Sequence, residues 1–248
     1  MSENSPETIV SFLKHNEIKN MNMLYFMENN PVCSFERTGD SVVLRGESDH
    51  PWVYISSPDE QELTVAIKTL TSNDKFFAVI EDWMLPALTA DKTLLWQLST
   101  MKLVLPEDVT FPQKPESHIT PLSAGDAQYL YDHSLYQGVT SSDYIRNRIQ
   151  NGLSAGIFES GKLVAWALTH DDSAIGFLHV LPVCRRKGYA YELTVYLISK
   201  LRKQGKIPFV QIEEANLKSI HLATKLGFRK DRRVHWFEVQ QDKKYSSA

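Results

Sequence analysis

The sequence predicts an α/β (α+β) fold: a mixed, mostly antiparallel central sheet flanked by helices, laid down twice along the chain. Three observations predict it. Segments of helical and strand periodicity run in the order helix, helix, strand, strand, strand, helix, strand, and that order occurs twice. Short turns at Thr38-Gly39-Asp40 and Ser160-Gly161 join neighbouring strands as hairpins, which makes those pairs antiparallel. Between the two runs, Pro106, Pro112, Pro115 and Pro121 punctuate a polar stretch that reads as an extended linker without a core of its own. The expected organisation is a degenerate N-terminal domain over 1–110, a linker over 111–120 and a second domain over 121–248.

In the first run, Ile9, Phe12 and Leu13, then Met21, Leu24, Tyr25 and Met27, recur at helical spacing and give two helices separated near His15-Asn16. Cys33 to Arg37 and Ser41 to Arg45 form the hairpin, and Trp52 to Ile55 is a third strand. Pro58 near a first turn starts a helix reaching about Leu70, Phe76 to Ile80 is a strand, Leu85 to Thr89 a short helix, and Leu94 to Leu105 strand material. The second run repeats the pattern. Helices over Ala124 to Tyr131 and Asp143 to Gln150 flank the loop Tyr136-Gln137-Gly138-Val139, and strands follow at Ser154 to Glu159, Leu163 to Thr169 and Ile175 to Leu181. A helix over Tyr191 to Lys203 ends at Gly205, a strand covers Pro208 to Ile212, a short helix Ser219 to Lys225 stops at Gly227, and a last strand spans Val234 to Val239. The five tryptophans are spread along the chain and read as core or strand-face residues; Arg229-Lys230-Asp231-Arg232-Arg233 reads as a solvated turn before the last strand.

Composition narrows the classes. With 248 residues, 42% hydrophobic and 23% charged, the chain suits one large or two small globular domains. A net charge of −3 gives no general attraction to nucleic acid or anionic membranes, so neither is expected as a partner. No apolar run is long enough to span a bilayer, and the polar N-terminus lacks a signal-peptide core, so a cytoplasmic location is expected. Cys33 and Cys184 lie far apart, without metal-ligand or redox-motif spacing, and no metal is expected. Cys184 sits beside cations that could activate a thiol, but no His or Asn pattern accompanies it, and a packing role is the expectation.

The stretch Leu178 to Ala190 carries the chemistry. An apolar strand passes Pro182 into Arg185-Arg186-Lys187-Gly188 and opens a helix. Helix N-termini present N–H groups without intrahelical acceptors and attract anions; Gly188 and Ala190 let the main chain approach a ligand, and Arg can grip phosphate oxygens in a fork. A solvated basic turn is the plainer alternative. The spacing is neither of the common nucleotide-loop patterns. The corresponding point of the first run, Ser56-Ser57-Pro58-Asp59-Glu60, has no Arg and no Gly.

Arg185-Arg186-Lys187-Gly188-Tyr189-Ala190 resembles the R/Q-x-x-G-x-G/A signature of the GNAT superfamily of acyl-CoA N-acyltransferases, supported by Asn216, Ser219 and Leu226-Gly227-Phe228 further on. The likeness covers about residues 118 to 240. The two-unit layout and Trp166 to Asp172 are similar to the glycine N-acyltransferase, or FR47-like, type. The resemblance implies acetyl-CoA as co-substrate, with Leu178 and Val180 offering backbone groups to the pantetheine arm. The N–H groups of Arg185, Arg186, Lys187, Gly188, Tyr189 and Ala190 would cradle the pyrophosphate, and Asn216 and Ser219 would line the far side. It also implies a small-molecule amine as acceptor, contacted by Tyr136 and Gln137, and a monomer or homodimer. The sequence departs from the family at both proton carriers: Ala223 stands where many members have Tyr, and Ala174 where many have Glu. His179, Asp172 and Glu214 (or its neighbour Glu213) are the local candidates, His179 because imidazole titrates near neutrality. With both usual carriers missing, a non-catalytic acyl-CoA-binding module is the alternative. A protein or histone acetyltransferase is weaker, since no reader domain or long charged tail is present.

Overall fold

A computed structural model describes residues 5–112 and 118–241. The chain divides into two compact units, one running to Lys102 and resuming at Asp231, the other spanning Leu103–Lys230. The sequence placed the division in the Pro-rich stretch and the last strand in the second domain. Pro115 and its neighbours at 113–117 lie outside the described residues. The preceding Pro106 to Val109 is no free linker: Arg202 donates to the Pro106 and Val109 carbonyls at 2.8 and 2.6 Å, and a Cβ on Gly227 would meet the Val109 side chain at 3.1 Å.

The first unit begins with α1 (Pro6–Lys14) and α2 (Glu17–Asn29), each capped by a side chain, Ser5 accepting from the Thr8 N–H and Asn16 from that of Lys19. α2 is buried on every side from Asn20 to Phe26, so it lacks an apolar stripe and carries polar side chains inward. β1 (Val32–Thr38) and β2 (Ser41–Glu47) form the expected hairpin, with Gly39 at φ +58° in the turn. β3 (Pro51–Ser56) pairs antiparallel with β2, and α3 (Glu60–Ile67) leads to β4 (Phe76–Glu81), which pairs parallel with β3. The helix stops three residues short of Leu70, where i to i+3 bonds tighten the chain into turns. α4 (Leu85–Thr89) and β5 (Lys92–Val104) follow. Val43, Val53, Leu63, Phe77, Ile80 and Phe237 meet in the core, with Phe77 and Phe237 stacked at 4.9 Å.

The second unit holds β6 (Ile119–Thr120), α5 (Ala127–Asp132), α6 (Ser142–Asn151), β7 (Ser154–Glu159), β8 (Lys162–Thr169) and β9 (Ile175–Val180). α7 (Tyr189–Lys203), β10 (Phe209–Ile212) and α8 (Leu217–Lys225) complete it. Strands β6 to β9 pair antiparallel in sequence, and β10 joins β9 in parallel. Ser160 and Gly161, both at positive φ, form the two-residue hairpin between β7 and β8. Trp166, Leu130, Ile145, Ile149 and Leu168 pack the face under α5 and α6. The element order helix, helix, strand, strand, strand, helix, strand holds in each unit.

β11 (Arg229–Gln241) corrects the expectation of a solvated turn at 229–233. These charged residues are already strand, and from Asp231 they belong to the first unit, antiparallel to β4. Their charges are met across the strands: Asp231 pairs with Lys102 at 3.2 Å, Arg232 with Glu81 at 3.0 Å and Arg233 with Asp82 at 3.8 Å.

An Arg45–Asp74 fork ties β2 to the loop before β4, with bonds of 2.8 and 2.9 Å. Burial pushes the Asp74 carboxyl up, but the guanidinium and the Thr71 N–H outweigh it and hold it below the usual range. Its stabilising contribution is therefore complete above the unfolded value, about 3.9, and is lost as pH falls through the lower folded value. Asp74→Asn should cost about 2 kcal/mol at neutral pH and less near about pH 3. Urea unfolding at both pH values checks this; an equal loss at both would refute the ionic origin.

Candidate functional site

The site is built where β9 and β10 part. The parallel pair is in register at Ile175 and Val210, the start of β9, and β9 from Gly176 to Val180 is only half-buried. β9 also carries a bulge. Trp166 faces His179 and Leu168 faces Gly176, so two steps on β8 span three on β9, and Phe177 takes φ +51°. The bulge takes the Phe177–Leu178 amides out of the regular ladder, at one of the two strand residues expected to meet the pantetheine arm.

Beyond β9, Pro182–Cys184 makes a short 3-10 turn, Arg186 sits at φ +65°, and Gly188 caps α7 at φ +92°. A Cβ on Gly188 would meet nothing nearer than Glu192 Oε1 at 3.9 Å, so the space above the helix start is open. The positive φ explains the glycine, and the missing side chain leaves the first N–H groups of a 15-residue helix uncapped by any group of residue 188. Arg185 and Arg186 are exposed around it, Arg185 donating to the Val180 carbonyl at 3.2 Å. Lys187 departs from the expected phosphate grip: its ammonium bonds Glu159 at 2.8 Å, and the Tyr189 hydroxyl donates to the same carboxylate. Lys187 and Tyr189 can thus offer a ligand their main chain, while the two arginines offer side chains. Cys184 is buried with its thiol toward Glu159 at 3.9 Å, a packing position.

The far side of the gap comes from the loop after β10. Asn216 caps α8, its Oδ1 accepting from the Ser219 N–H at 3.2 Å. The Tyr136 hydroxyl from the α5–α6 loop meets the Glu213 carboxylate and the Asn216 amide. Burial, then the bond to and charge of Glu213, push the Tyr136 phenol up to about 12, with Asn216 pulling the other way. Tyr136 thus stays protonated and donates to Glu213. This joins Tyr136 and Asn216, two of the expected site residues, through a third. Of the two adjacent carboxylates, Glu214 is exposed and Glu213, half-buried, is the one in contact with Tyr136. Gln137 instead donates to the Tyr131 carbonyl within its own loop.

His179 stacks flat on Trp166 at 4.5 Å, with the His133 ring edge-on at 6.0 Å. Its Nε2 is buried without a hydrogen-bond partner. Burial, then the charges of His133 and Arg185, hold the imidazole below its usual value, so it is neutral at pH 7. Asp172 is a correction. It is 2% exposed, Oδ1 accepts the Ala174 N–H at 3.0 Å and Oδ2 accepts from Gln211, which closes the turn before β9. It lies in the turn before β9, at the opposite end of that strand from the gap. Ala174 and Ala223 are buried at 0% and 4%, and neither position presents a proton carrier.

The signal that sequence reasoning missed was the bulge, because a Phe at positive φ has no compositional signature. Among the described residues no group of three His, Cys, Asp or Glu could hold a metal, and no helix is long and apolar enough to cross a membrane.

Residues 152–237 match the family described as FR47-like protein. Curated proteins give no sequence match. Among solved structures, a Drosophila protein aligns over 95% of this chain and 96% of its own, at TM-score 0.76 and 18% identity. A putative acetyltransferase of the GNAT family from Novosphingobium aromaticivorans aligns over 84% and 91%, at TM-score 0.56 and 14% identity. A GCN5-related N-acetyltransferase from Kribbella flavida aligns over 90% and 94%, at 0.57 and 16%. The chain has the GNAT fold, and its residues 152–237 are similar to the FR47-like family.

Proposed function

We propose that the second unit transfers an acetyl or short acyl group from acyl-CoA to the primary amine of a small molecule. The observation that carries this is the gap between β9 and β10 ending at the open, glycine-capped start of α7. An extended thioester arm fits beside a strand whose next neighbour has moved away, and the anionic end fits uncapped helix N–H groups flanked by Arg185 and Arg186. The Leu178 N–H at the bulge supports an oxyanion. Tyr136, Glu213 and Asn216 line the acceptor end, where the Glu213 carboxylate draws an ammonium.

In this reading the bound ammonium loses one proton to the base, the free amine nitrogen attacks the thioester carbonyl, the C–N bond forms, the C–S bond breaks, and coenzyme A leaves as thiolate and takes up the second proton from nitrogen. The coenzyme A pKa, about that of a free thiol near 8.5, makes departure without a protein acid workable. The first proton passes to neutral His179, whose buried Nε2 has no competing partner. The same vacancies at Ala174 and Ala223 favour the second reading, a non-catalytic acyl-CoA-binding module. Amine-dependent thiol release from acetyl-CoA separates the two.

Gly188→Glu should weaken coenzyme A binding at least about tenfold by placing a carboxylate at the helix start. Calorimetric titration of the folded variant checks it, and unchanged affinity removes the phosphate assignment. His179→Gln should lower kcat about 100-fold or more with coenzyme A affinity retained, and should abolish an acid limb that in the wild type lies below pH ~6.5. A kcat within a few-fold of wild type would move the base elsewhere.

A further inference from the structure

The first unit contains a cleft that the acyl-transfer reading does not use. β3 and β4 are in register at Trp52 with Phe76 and Val53 with Phe77, and beyond those pairs Ile55 and Ser56 line one wall and Val79 and Glu81 another. α2 lies across it, and the cleft opens to solvent at its mouth.

Lys19, Lys102 and Arg232 all reach this cleft. The Lys102 side chain is 1% exposed; its ammonium donates to the Ile18 carbonyl at 2.7 Å and pairs with Asp231 at 3.2 Å. Lys19 donates to the Ser57 carbonyl at 2.6 Å and lies 3.7 Å from Glu81. Arg232 bonds Glu81 and Asp231, each at 3.0 Å. Among the described residues three cations therefore share two carboxylates, which leaves one positive charge in excess at the cleft. A closed structural network tends toward neutrality, because an uncompensated buried charge is costly.

Two further observations set this cleft apart from a plain ionic cluster. Val79, in its wall, has φ +58°, a region that a β-branched residue rarely enters and that concentrates at ligand sites. Burial also pushes the Lys102 ammonium down, against the pull of Asp231.

We propose that this cleft binds a small molecule through an oxyanion head, a carboxylate or a phosphate, gripped by Lys19, Lys102 and Arg232. The anion supplies the missing negative charge, and its oxygens can accept from both lysines and the guanidinium. The site stands apart from the acyl-transfer gap and does not depend on that reading.

The test is calorimetric titration of the full chain with inorganic phosphate and, separately, with acetate, at constant ionic strength in chloride buffer. A saturable site for at least one of the anions is expected beside any phosphate binding at the α7 start, at least about tenfold weaker in Lys19→Gln and in Lys102→Met. Phosphate alone would identify a phosphate-headed ligand, acetate alone a carboxylate. Lys19 sits at the cleft mouth, so Lys19→Gln keeps the test decisive if Lys102→Met fails to fold. The proposal is overturned if neither anion binds saturably, or if binding survives in Lys19→Gln and is lost in Gly188→Glu.

Discussion

The second unit depends on a parallel strand pair that is joined at one end only. Ile175 and Val210 are in register at the start of β9; beyond them β9 bulges against its other neighbour, β8, at Phe177 and Leu178. A parallel strand needs a long crossover, and here that crossover is the loop 181–188 with α7, which delivers the helix N-terminus to the same end as the gap. The open strand edge, the oriented amides and the anion-attracting helix start are thus consequences of one topological choice. Moving the chemistry would require moving the pairing.

That arrangement also explains which side chains are free to act. Lys187, Tyr189 and Cys184 are turned to Glu159 at the end of β7, which ties the loop to that strand and takes these side chains away from the helix start. The exposed Glu159 carboxyl is held below its usual range chiefly by the Lys187 ammonium, then by the Tyr189 hydroxyl, so it stays charged at neutral pH and keeps the loop tethered. The cationic run is therefore divided between structure and recognition, a division that a motif of letters cannot show.

Much of this was legible in the sequence where local chemistry dictates conformation. Gly188 at positive φ, Asn216 as a helix cap and the Ser160-Gly161 hairpin each follow from what one or two residues can do. Three features were not. Phe177 gives no sign of a bulge. The charged run 229–233 reads as solvated until its partners Lys102, Glu81 and Asp82, more than a hundred residues away in sequence, are known. Glu213 and Glu214 are adjacent, and only the direction in which the chain leaves β10 decides which of them meets Tyr136.

The two units share an element order yet differ at one decisive position. In the first, the residue before α3 is Asp59, whose carboxylate accepts the N–H groups of Gln61 and Glu62, both at 2.9 Å. The helix start already holds its own anion, with Glu60 and Glu62 adding charge beside it. In the second, the equivalent residue is Gly188, which can adopt φ +92° and has no side chain to fill the place. A phosphate at α3 would have to displace a covalently tethered carboxylate; at α7 it meets no such cap from residue 188. Capping chemistry thus keeps a second anion from the α3 start, and the cations of that unit gather instead beneath α2.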